Sequence, residues 1–195
     1  TRVREIRTAI IVGGAVLCVV ISMALQVPQL ATSAYMVFFI SKESKLLTTI
    51  TGVGGAIVLT IGICATLLLY KFTYGHPELR IPGMAIALFL GMWLSRASVI
   101  GPLGFLFGFV VAVSQSVGEE VPSPELVARQ LLWLWVALAY AIALTVALNL
   151  LFLPDTPKTA ERPNPKSLFV PDAFTKSAHV HFALKVTFAA MFCYI

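Results

Sequence analysis

Residues 46–70, LLTTITGVGGAIVLTIGICATLLLY, run for 25 positions without an acidic or basic side chain. At the rise of an α-helix this stretch is about 37 Å long, enough to cross a hydrocarbon core of about 30 Å. Three more runs share its character, at 8–26, 99–117 and 130–153. Two shorter ones, 30–41 and 81–95, fall below spanning length. They depend on long cations at their ends, Lys42 for the first and Arg80 and Arg96 for the second, snorkelling back to the headgroups. Composition points the same way: 58% of the 195 residues are apolar and 12% charged, with a mean hydropathy of +0.91. Soluble domains carry about a quarter charged residues. The expected fold is therefore all-α, a polytopic transmembrane helical bundle of six spans plus the start of a seventh.

Basic residues test the span count, because Lys and Arg gather in short loops on the cytoplasmic side. With six spans and a cytoplasmic N-terminus, eleven of the 14 basic residues lie inside and only Lys71, Arg80 and Arg129 outside. If the run at 30–41 fails to cross, the split becomes six against eight. Six spans fit the rule. The net charge of +5 then orients the chain and requires no nucleic-acid partner, since the cations are dispersed along the loops.

Three domains are expected: a six-span membrane half at 1–153, a cytoplasmic linker or remnant of a soluble region at 154–180, and the start of a second membrane half at 181–195. The chain opens at Thr1 and stops inside a fresh apolar run from about Phe182, so it reads as a piece of a longer protein. No secretory signal peptide is visible at its start. Cys18, Cys64 and Cys193 all lie in apolar runs without a CxxC pair, which predicts packed thiols.

Small residues recur at helical spacing. Ala87, Gly91 and Ser95 stand four apart, as do Gly104 and Gly108, and Ala139, Ala143 and Ala147. In a bilayer such stripes serve close helix packing. They fit packing within one subunit, and they leave room for a homo-oligomer. Gly52, Gly54 and Gly55 sit inside an apolar helix with no strand before them, which is the wrong setting for a phosphate loop.

Chemistry-bearing residues are few. No metal cluster, nucleotide loop or close pair of membrane carboxylates is present, so neither an enzyme nor a cofactor is expected. His179 and His181, two apart, point to different faces of a helix and lack a third ligand in sequence. The group Ser41-Lys42-Glu43-Ser44-Lys45 is more informative, because the shortness of the run before it draws Lys42 toward hydrocarbon, where a charge is costly. It reads either as an ordinary cytoplasmic turn or as part of a substrate pathway. With Arg96 and Lys185, Lys42 and Lys45 could present positive charge at an inner vestibule, attracting small organic anions or drugs, with Glu43 paired to a lysine until substrate arrives.

Five stretches carry a further likeness: YMVFFISKESKLLTTITG (35–52), PGMAIALFLGMWLSR (82–96), GPLGFLFGFVVAVSQS (101–116), LLWLWVALAYAIALTVALNLLFLP (131–154) and LFVPDAFTKSAHVHFALKVTFAAMFCYI (168–195). In order along the chain, they resemble the fusaric acid resistance and aromatic acid exporter family, nearest its multidrug-resistance members. The resemblance implies two membrane halves around a cytoplasmic region, and efflux of aromatic carboxylates or amphipathic drugs across a bacterial inner membrane. In some systems it also implies a periplasmic adaptor and an outer-membrane channel as partners. The chain departs from this pattern where the intervening soluble region is nearly absent and the second half stops early. Two other functions remain open on the residues alone: a passive organic-anion channel, and a non-transporting membrane scaffold.

Overall fold

A computed structural model of the chain describes residues 2–27, 29–42, 44–73, 76–97, 101–119, 123–153 and 177–194. These residues form α1 (Arg2–Ala24), α2 (Leu30–Ile40), α3 (Lys45–Thr73), α4 (Arg80–Ala97), α5 (Gly101–Glu119), α6 (Pro124–Phe152) and α7 (Ser177–Tyr194). A single 3-10 turn, Pro77–Leu79, leads into α4. No strand occurs among the described residues. The expected linker falls almost wholly on 154–176, outside the described residues.

Among the described residues, three helices are long and apolar enough to cross a membrane: α1 over Glu5–Ala24, α3 and α6. The last two have 29 residues each, about 43 Å at helical rise, so they exceed the hydrocarbon core and must tilt or project from it. By contrast α2, with 11 residues, covers about 16 Å. Large apolar side chains face outward at helical period, as in Val12, Val16 and Val20 on α1, and Leu184, Phe188 and Phe192 on α7. Stripes of this kind suit lipid and would be unstable in water.

Local chemistry sets the helix ends. Ser123 accepts from the Leu126 N–H at 3.4 Å, Pro124 fills the first helical position and Glu125 faces the positive end of α6. At the other end of α1, Val27 N–H bonds to Ser22 O at 2.9 Å and Gln26 N–H to Met23 O at 3.3 Å. That pair of bonds is a Schellman closure with Gln26 in the left-handed region at φ 53°. Threonines inside the long helices turn their hydroxyls onto the preceding turn, Thr66 to Gly62 O and Thr145 to Ala141 O, which satisfies those two O–H groups within the helix itself.

Contacts divide the chain into two compact units: unit 1 is Thr1–Ile57 with Leu132–Glu161, and unit 2 is Val58–Leu131 with Arg162–Ile195. In unit 1, α1 packs on α2, and Met36, Val37, Ile40, Leu134 and Leu138 are buried. In unit 2, α4 packs against both α5 and α7, with Met84 and Leu88 meeting Met191. Only one of the three thiols is packed: Cys18 is buried, whereas Cys64 and Cys193 are exposed. The helix turn carries those two to outward faces, where a bilayer rather than protein would surround them.

Candidate functional site

The turn between α2 and α3 in unit 1 is fixed by its own polar side chains. Ser44 Oγ caps α3 by accepting from Leu47 N–H at 3.2 Å, and Thr49 bonds back to Lys45 O at 2.9 Å. Thr48 Oγ1 accepts from Lys42 N–H at 2.9 Å, tying the turn to the first turn of the helix. These bonds hold Lys42 in place, partly buried, with its Nζ 5.6 Å from the centre of the Phe39 ring. Burial holds the Lys42 ammonium below its ordinary range, and the charge of Arg7 on α1 lowers it further. The unfolded chain therefore binds that proton more tightly, and stability rises with pH as Lys42 loses its proton in the fold. Lys42, the like charge of Arg7 acting on it and the positive end of a long helix form a local field suited to an anion. Lys45 opens α3 in the same turn, and Glu43 lies outside the described residues.

Deeper in unit 1, three helices meet at a polar node. Tyr140 of α6 donates its O–H to Cys18 O of α1 at 3.0 Å and lies 3.3 Å from Ser33 Oγ of α2. Its hydroxyl also meets Ser22 Oγ, and the two serines stand 3.3 Å apart. Ser33 in turn donates to Leu30 O at 2.9 Å. Removing the phenolic oxygen leaves the serines with each other and with Leu30 O. Tyr140→Phe is therefore expected to cost about 0.6–1.7 kcal/mol, the span of interhelical hydrogen bonds in a membrane protein. Unfolding midpoints in detergent check this, and an unchanged midpoint would mean the node contributes no stability.

Unit 2 holds the other predicted cations. Arg96, exposed in the last turn of α4, places its guanidinium 4.3 Å from the centre of the Phe182 ring on α7. Lys185 follows Phe182 by one turn and is exposed. The sequence-predicted pathway residues thus fall into Lys42 with Lys45 in unit 1, and Arg96 with Lys185 in unit 2. Small residues bring α4 and α5 together. A methyl group on Gly91 would lie 2.8 Å from Gly108 N, and one on Gly104 would lie 2.6 Å from Ser95 N. Ala87, one turn before Gly91, is partly buried.

The chain is similar to a multidrug resistance protein. Over 142 residues, 73% of its length, it is 26% identical to the multidrug resistance protein MdtO of Escherichia coli strain K12, and equally so to that of Escherichia coli O6:H1. The Shigella flexneri MdtO is 27% identical over 142 residues. The matched region makes up 20–21% of these proteins, so the chain spans about a fifth of the length of the curated relatives it matches. No protein-family model matches the chain, and no solved structure matches it.

Several features of the site were not legible beforehand. Arg7 is one of many cations in the sequence, and only the fold sets it beside Lys42. Tyr140 and its serines are separated by more than a hundred positions. A hydroxyl in each of three apolar runs was the one available signal. Gln115, fully buried on α5, was also missed: its side-chain amide has no hydrogen-bond partner among the described residues, and its backbone O accepts from Tyr70 O–H at 3.1 Å.

Proposed function

We propose that this chain is part of a membrane efflux transporter for amphipathic organic anions, with aromatic carboxylates as the substrate class. The observation that carries the reading is the capped, cationic turn at the start of α3, where Lys42 and Lys45 stand together and the like charge of Arg7 acts on a partly buried Lys42. An arriving carboxylate relieves that repulsion, so the turn favours anions before any helix moves. The similarity to MdtO supports an efflux role. In this reading all six apolar runs cross a bacterial inner membrane, the N-terminus is cytoplasmic, and the turn meets substrate from inside. Lys42 and Lys45 take the carboxylate, Glu43 pairs with a neighbouring lysine between substrates, and Arg96 with Lys185 supplies a second cationic group. A periplasmic adaptor and an outer-membrane channel continue the path, and the working unit is a homo-oligomer.

The test is export of a radiolabelled aromatic carboxylate from energised cells carrying the transporter. Lys42→Gln and Arg96→Gln, made separately, are each expected to slow export about tenfold, equivalent to roughly 1.4 kcal/mol of lost anion stabilisation. Protein level should stay the same. Export at the wild-type rate in both variants would defeat the proposal. Flux that only follows an imposed voltage would instead favour a passive channel.

A further inference from the structure

Within unit 1, α1 and α6 enclose between them a groove of about 340 Å³, lined by Ile6, Ile10, Gly13, Leu17, Leu148 and Phe152 among others. Every lining side chain is apolar. Along α1 the groove runs from Ile6 to Leu17, about 16 Å at helical rise and so about half of the hydrocarbon thickness. That length matches one leaflet. Its Ile6 end adjoins Arg7 in sequence, and Arg7 is close enough to Lys42 for the two charges to act on each other.

Glycine explains why the groove is open. A Cβ built on Gly14 would meet Val37 at 3.1 Å and Leu148 at 3.2 Å, so that glycine lets α1 settle against α2 and α6. A Cβ built on Gly13 would meet nothing within 4 Å. Mid-helix glycine is less favourable than alanine, and at Gly13 no packing contact offsets the difference. Its effect is to keep space clear along the wall of the helix.

We propose that this groove holds one acyl chain of an anionic phospholipid from the leaflet on the Arg7 side, with the lipid phosphate at Arg7. Three features select that occupant. The groove is long and narrow along the helix, matched to one chain in one leaflet. Its walls offer no hydrogen bond to a polar ring or amide. Arg7 follows the Ile6 end of the groove in sequence, on a side chain long enough to reach a headgroup there, and basic residues near a membrane surface favour anionic lipids several-fold. A compact aromatic acid would leave most of the apolar wall uncovered.

Native mass spectrometry of the purified protein, released from detergent with phosphatidylglycerol or phosphatidylcholine of identical chains, tests the assignment. Wild type is expected to retain phosphatidylglycerol about fivefold more than phosphatidylcholine. Gly13→Phe, whose side chain enters the groove from an unobstructed position, should lose both lipids. Arg7→Gln should lose only the preference for phosphatidylglycerol. Ala9→Phe fills the same groove and serves if Gly13→Phe fails to fold. Equal retention of the two lipids by wild type overturns the proposal, as does full retention of phosphatidylglycerol in both filled-groove variants. A change of oligomer mass on filling the groove, with lipid retention unaltered, would assign it to a second copy of the chain. Displacement of the lipid by millimolar benzoate would assign it to the transported anion.

Discussion

Gly104→Ala is expected to destabilise the chain by about 3 kcal/mol, the upper part of the range for overpacking, and to do so by parting two helices. The added methyl would lie 2.6 Å from Ser95 N and 2.8 Å from Leu94 C. Both are backbone atoms of α4, so no side chain can rotate out of the way. The only relief is separation of α4 from α5, which loosens the Gly91 contact as well, where a Cβ already has only 2.8 Å to Gly108 N. Between helices in lipid the attraction is mainly close van der Waals contact, which falls off steeply with a small gap. Gly108→Ala is the internal control, since its methyl would first meet the flexible end of Met92 at 3.4 Å. Unfolding midpoints of the three proteins in the same detergent check the order. A Gly104→Ala protein as stable as wild type but altered in oligomer mass would place the close contact between subunits instead.

The spacing of those glycines was legible in the sequence, whereas their partners were not. A run such as 46–70 announces a helix by length and by its lack of charge. In water a polar face would also say which side is buried. In a bilayer both faces of a span are apolar, so periodicity carries little information about which side meets protein. This explains the thiols: Cys18 and Cys64 look alike in sequence, yet one is buried and the other exposed. Helix ends were harder to read: the apolar run at 130–153 starts after Arg129, whereas α6 begins at Pro124, because Glu125 and Arg129 interrupt an apolar run without interrupting a helix. The same is true at Gln26 and Gln29, both left-handed without the glycine that usually marks such a position. The cationic turn was legible because two lysines after a short apolar run are costly to place. Its neighbour Arg7 was not, because proximity between α1 and the α2–α3 turn is a property of the packed unit.

Gln115 gives the second large expectation, and its sign is opposite. The side chain is fully buried on α5, and neither its amide N nor its amide O has a hydrogen-bond partner among the described residues. Each buried polar group left unpaired costs about 1–3 kcal/mol, while leucine of similar size brings no polar group to satisfy. Gln115→Leu should therefore raise stability by about 2 kcal/mol, a shift of some thirtyfold in the unfolding equilibrium. The backbone bond from Tyr70 to Gln115 O at 3.1 Å does not involve the side chain and should survive. Stability and export measured on the same variant separate two explanations for keeping an amide there. Higher stability with export intact would mark Gln115 as a tolerated flaw in the packing of unit 2. Higher stability with slowed export would mean that the amide does its work when α5 rearranges during transport, and that the fold carries a standing penalty for it. A loss of stability would show that the amide is bonded after all, and the burial argument would fail at this residue.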